Sequence, residues 1–257
     1  MKEKIYTIPL MDAFRAEDEC PFCYIERSLE QHALDFTLGS GASYMEDDIR
    51  AETDKMGFCR DHYKKMFDYG NRLGAGLILN THFKKKNQEL KEQLKMFSPG
   101  KSSMLGHFKK AKIDGSAPKT SLGQWVKEQT SSCFICDYYK NTYSRYLDTF
   151  FELYRKNPEF RELFKSSKGF CLPHFGDLVE TAEVILSDKE KASFYPELFA
   201  LMTDNFQRVS EDLEWFCDKF DYKNKDADWK NSRDAIQRGI QKAAGSYPAD
   251  PPYKADK

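Results

Sequence analysis

Eight residues carry the chemistry that can be read from this chain. Cys20, Cys23, Cys59 and His62 recur as Cys133, Cys136, Cys171 and His174, at offsets of 113, 113, 112 and 112 residues. A Cys-x-x-Cys pair presents two thiolates on adjacent points of a tight turn, the bite that a tetrahedral ion takes. A Cys-x-x-His pair adds a thiolate and an imidazole from a second turn. Four such ligands close the shell of a structural zinc ion and leave no position for the activated water of a catalytic one. A lone CxxC would say little, but three cysteines and a histidine repeated in near-constant register form a specific signal. The neighbours repeat too: Gly57-Phe58-Cys59 matches Gly169-Phe170-Cys171.

Grouping ligands by proximity along the chain assigns one site to Cys20, Cys23, Cys59 and His62. The other falls to Cys133, Cys136, Cys171 and His174. The expected cofactor is zinc, two ions per chain, with an iron–sulfur cluster as the alternative, although clusters are more often held by four cysteines. A dithiol redox role expects a βαβ context that the sequence lacks. Buried cysteines without metal would leave the repetition of both histidines unexplained.

The elements that must position these residues are helices. Valine occurs only at Val126, Val179, Val184 and Val209, and strict apolar alternation is hard to find, so a sheet has little to be built from. Phe199, Met202, Phe206, Val209, Leu213 and Phe216 step by three and four, as does much of Leu79, Phe83, Leu90, Leu94 and Phe97. Each half therefore reads as a helix after its CxxC, a short helical connector, a helix after its CxxH and a long closing helix. Tyr24 and Tyr63 open the helices after the first pair of motifs, where the positive end of the helix dipole favours thiolates.

The fold expected is all-α: duplicated helical units, each pinned by one CCCH-type metal site, packed as one pseudo-symmetric body. The boundaries expected are 1–97 for the first unit, 98–122 for a linker, 123–222 for the second unit and 223–257 for a C-terminal helix and tail. The segment 98–122 is rich in Gly, Ser, Pro and Lys, with Lys109, Lys110 and Lys112 read as solvated charges. Trp229, Ile236 and Ile240 suggest an amphipathic helix beginning near Asp228, before a Pro-rich disordered tail from Pro248.

Other residues carry weaker signals. Cys217 beside Phe216 reads as a core thiol, and His32 as a core histidine on the face of Ile25, Leu29 and Phe36. His82 and His107 show no partner in the sequence. Glu46 and Arg50 are spaced for a surface ion pair. The more polar stretch around them hints that the first unit carries the working surface. No catalytic residue is assigned, because GxGxxG, P-loop and HExxH signatures are all missing.

Composition narrows the rest. The chain has 257 residues, with 40 Lys+Arg against 41 Asp+Glu. That length can bury a real core. A formal charge of -1 offers no global field for nucleic acid or an anionic membrane surface. No apolar run is long enough to span a membrane. The segment MKEKIYTIPLMDAF has no signal-peptide character, so a cytoplasmic protein is expected.

With IPLMDAF, CPFCYIE, SYMEDDIRAETDKMGFCRDH, the second GFCLPH and DWKNSRDAI in view, the chain resembles an uncharacterised bacterial family. Its members, mostly from anaerobic Gram-positive organisms, carry paired CPxC…GFCxxH motifs. The second motif here is CFIC, without the proline found at Pro21. The resemblance implies a bacterial cytosolic protein and supplies no mechanism. Three functional readings follow. The first is a metal-stabilised binding or adaptor scaffold for a protein or small-molecule partner. The second is a redox, iron–sulfur or cofactor-dependent enzyme with a site between the units. The third is a nucleic-acid-binding zinc protein, which the balanced charge disfavours.

Overall fold

The computed structural model describes residues 5–100, 117–246 and 248. Among these there are eleven α-helices and no strand. The N-terminal series is α1 (Thr7–Arg15), α2 (Pro21–Leu38), α3 (Asp47–Met56), α4 (Arg60–Tyr69) and α5 (Arg72–Met96). It is followed by α6 (Ser121–Ser131), α7 (Phe134–Lys156), α8 (Pro158–Ser166), α9 (Leu172–Ile185) and α10 (Asp188–Asp218), and then by α11 (Ala235–Ala244). The expected run of helix, connector, helix and long helix is present in both series. Lys109, Lys110, Lys112 and His107 lie outside the described residues, as does most of the tail. Ser121 and Leu122, expected in the linker, already belong to α6.

The helices form two compact units, and these are not the two halves of the sequence. One unit combines residues 1–31 with 139–251, and the other is built on 32–138, so the boundaries fall inside α2 and α7. The first unit has a core of packed aromatics centred on Phe150, which is fully buried. Its ring meets those of Phe14, Phe22, Phe151, Tyr154, Phe160, Phe164, Phe170 and Phe194 at 5.0 to 6.4 Å between centroids. Such offset and edge-on contacts add to the area each ring buries. Phe150→Ala is expected to lower the unfolding free energy by about 3–5 kcal/mol in denaturant titration, because so many fixed rings cannot collapse into the hole.

The second unit has a smaller core, in which Leu34 and Leu38 of α2 meet Phe58, Met66, Tyr69, Ile78 and the start of α7 at Phe134 and Ile135. There α5 packs along α3, and Asn71 caps α5 by accepting from the Gly74 N–H at 2.9 Å.

Several expectations about individual faces change. The stripe on α5 is not core: Leu79 is half-buried, while Phe83, Leu90, Leu94 and Phe97 are exposed. Only Gly74 and Ile78, near its N-terminal end, are buried. On α10 the buried residues are Phe194, Leu198, Leu201, Met202 and Val209, and Phe199 is exposed. Cys217 is exposed near the end of α10 rather than buried. His32 is exposed as well. Arg50 donates to the Tyr44 carbonyl rather than engaging Glu46 through its side chain.

The C-terminal helix starts at Ala235, not near Asp228. The intervening chain is gathered by Lys219, whose Nζ donates to the carbonyls of Asn224, Lys225 and Ala227. The buried face of α11 is Ala235, Arg238, Gln241 and Lys242, while Ile236 and Ile240 point outward, 45% and 46% exposed. Carboxylates decide that orientation. Arg238 reaches Asp212 and Asp234 at 2.8 Å each, and unpaired buried cations would be far costlier than two half-exposed isoleucines.

Candidate metal centres

Each of the four motifs sits at a helix start, with its first ligand just before the helix and its second at the third helical position. Cys20 precedes α2, Cys133 precedes α7, and Cys59 and Cys171 stand immediately before α4 and α9. The helix dipole favours negative charge there, and at one site a first-turn N–H meets a sulfur, the Cys136 N–H donating to Cys133 Sγ at 3.4 Å. The local backbone repeats closely. Cys59 has φ -72, ψ 167 and Cys171 φ -75, ψ 162. Two residues earlier, Gly57 and Gly169 take left-handed φ of +62 and +74, a conformation in which any side chain would be strained. At Gly57 an added Cβ would also come within 2.8 Å of His82. Phe58 and Phe170, which follow, are buried anchors.

The motifs do not pair as neighbours in the sequence. Cys20 and Cys23 converge with Cys171 and His174, and Cys59 and His62 converge with Cys133 and Cys136. All eight ligand candidates are brought into two sets of three cysteines and one histidine, but the grouping of Cys20 and Cys23 with Cys59 and His62 is overturned. So is the grouping of Cys133 and Cys136 with Cys171 and His174. The reason lies in packing. Phe22 and Ile25, beside the first CxxC, belong to the same core as Phe170 and Leu178, whereas Phe134 and Ile135 belong to the core of Phe58 and Met66. Each CxxC follows its aromatic neighbour into the core that holds the other half's CxxH.

In the first cluster the Cys20–Cys171 and Cys23–Cys171 sulfurs are each 3.7 Å apart. His174 Nδ1 lies 3.4, 3.5 and 3.1 Å from Cys20, Cys23 and Cys171. In the second, His62 Nδ1 lies 3.2 Å from Cys59, 3.2 Å from Cys133 and 3.4 Å from Cys136, and Cys59 is 3.9 Å from Cys136. Sulfurs bound at ~2.3 Å to one tetrahedral ion stand about 3.8 Å apart. The donor set therefore fits a single ion and is far too open for a disulfide.

Electrostatics point the same way. Burial pushes the Cys20 thiol well above its ordinary value and brings the His174 imidazole down to about 4, so ionised thiols there need a cation beside them. At Cys133 burial opposes ionisation, but the His62 imidazole and the Cys136 and Cys59 backbone outweigh it and bring the thiol down to about 6. The far nitrogen of His174, Nε2, faces a Glu26 oxygen at 3.7 Å, an arrangement that orients a metal-binding imidazole.

Sequence reasoning missed this carboxylate, and it missed the part of α11 that reaches the first cluster. Glu26 sits three residues after Cys23, a spacing that could have suggested it. Nothing in the spacing of Lys242 marks it.

These observations define an all-helical protein with two Cys3His clusters able to hold metal ions. The chain belongs to a family of unknown function (DUF6062), whose model matches residues 1–250. Comparison with curated proteins and with solved structures gives no match in either case. Among the described residues no helix is long and apolar enough to cross a membrane.

Proposed function

We propose that the protein is a metal-stabilised binding or adaptor scaffold holding two structural zinc ions per chain. Cys20, Cys23, Cys171 and His174 would hold one, and Cys59, His62, Cys133 and Cys136 the other. The ion supplies a fixed tetrahedral junction, and the chain supplies all four ligands at each site, leaving no position for a reacting water. The observation that carries this reading is the spacing of the sulfurs, 3.7 to 3.9 Å, which is the edge of one tetrahedron. Cysteines that ligate separate irons of a cluster stand farther apart, which favours zinc over an iron–sulfur cluster.

The near-identical backbone at Cys59 and Cys171 supports an origin of the chain by internal duplication. Elemental analysis of protein purified without oxygen or chelator is expected to give two zinc ions per chain in a colourless preparation. Brown protein containing iron would move the assignment to a cluster, and metal content near zero would remove the proposal.

A further inference from the structure

The two clusters share donor types and local backbone, yet different groups hold their two motifs side by side. At the Cys133 cluster the links are local. The Phe134 N–H donates to the Gly57 carbonyl at 3.0 Å, and Ser132 Oγ donates to the Met56 carbonyl at 2.6 Å. The repeat offset places Pro21 where the other motif has Phe134, Glu19 where it has Ser132, and Lys168 where it has Met56. Proline has no N–H and Glu19 has no serine hydroxyl, so neither link is reproduced at the Cys20 cluster.

The replacement comes from α11. Lys242 Nζ donates to the Glu19 carbonyl at 2.6 Å and also to the Lys168 carbonyl, joining the residues that lead into the two motifs. Its side chain is 3% exposed and lies 3.4 Å from the Glu19 carboxylate, which Arg208 also engages. Gln241 Nε2 donates at 2.6 Å to Asp18 Oδ1, the oxygen that accepts from the Cys20 N–H. Past the helix end the chain turns at Gly245, with φ +75, where a Cβ would stand 3.6 Å from Cys171 Sγ and 3.8 Å from Cys23 Sγ. All four residues of this cluster are buried, whereas Cys59 and Cys136 are partly exposed.

We infer that α11 is the gate of the Cys20 cluster: its ion exchanges only when α11 undocks, while the ion of the Cys133 cluster exchanges directly with the surrounding solution. Lys242 is the positioning residue of that gate. The inference rests on reading both clusters as metal centres.

The test is zinc release from the full-length, zinc-loaded protein into excess 4-(2-pyridylazo)resorcinol. Two phases of one equivalent each are expected. Alkylation after the fast phase, read by mass spectrometry, should modify Cys59, Cys133 and Cys136 along with the exposed Cys217, and spare Cys20, Cys23 and Cys171. Lys242→Met keeps an apolar stem without donors and should accelerate the slow phase by about 10–100-fold, the usual scale for outer-shell partners, leaving the fast phase unchanged. Ser132→Ala should accelerate the fast phase alone. Release in a single phase, alkylation of the Cys20 cluster first, an unaltered slow phase in Lys242→Met, or equal acceleration of both phases would overturn the gate. A loaded protein with fewer than two equivalents would instead count against the metal centres themselves.

Discussion

With both clusters loaded as proposed, stripping the metal with a chelator is expected to unfold the helical units rather than leave an intact, inert protein. Structural zinc contributes roughly 10–16 kcal/mol in small zinc-finger peptides near neutral pH. A whole domain is stable by only about 5–15 kcal/mol. The junctions are also long in sequence: Cys20 and Cys171 are 151 residues apart, and His62 and Cys133 are 71 apart. Without the ions, each cluster keeps buried or half-buried thiols and a buried imidazole with no charge to organise them. The unit built on residues 32–138 has the smaller core and should lose its helicity first. Circular dichroism should show a marked fall in helix signal together with loss of a cooperative melt. His62→Ala should behave like Cys59→Ser, since each opens the same shell. Full helicity and an unchanged Tm after removal of two equivalents would show that the clusters do not hold the fold. If His62→Ala kept full stability while binding of a partner vanished, the imidazole would be a functional group and not a structural ligand.

Paired substitutions should separate the observed grouping of ligands from the sequential one by whole equivalents of metal. Cys20→Ser with Cys171→Ser damages one cluster and should cost one ion per chain, leaving the Cys133 cluster loaded. Cys20→Ser with Cys59→Ser damages both clusters and should cost two. If each half of the sequence closed its own site, the two results would be exchanged. Native mass spectrometry of the purified variants reads the count directly. The second variant should also be much less stable than the first, because both units then lose a junction of the size estimated above. A loss of two ions in the first variant and one in the second would refute the crossed arrangement.

The sequence by itself determined the identities of the eight clustered residues, the helical class and the run of four helices after each CxxC, but not α1 or α6. These are short-range properties. A CxxC or CxxH turn is set by four residues, the Gly-Phe before Cys59 and Cys171 by a left-handed turn and one buried ring, and a helix by its own spacing of apolar positions. Only the tertiary structure decided which CxxC meets which CxxH. That choice depends on where Phe22 and Phe134 find their cores, and both motifs offer the same ligands to either partner. The tertiary structure also turned α11 so that Arg238, Gln241 and Lys242 are buried and its isoleucines are not, against the usual reading of an amphipathic stripe. Periodicity records that a helix has two faces, but the charge of the neighbours decides which face goes in. Here Asp212, Asp18 and the carbonyls of Glu19 and Lys168 drew the polar one inward, because buried donors and acceptors must be matched wherever they fall.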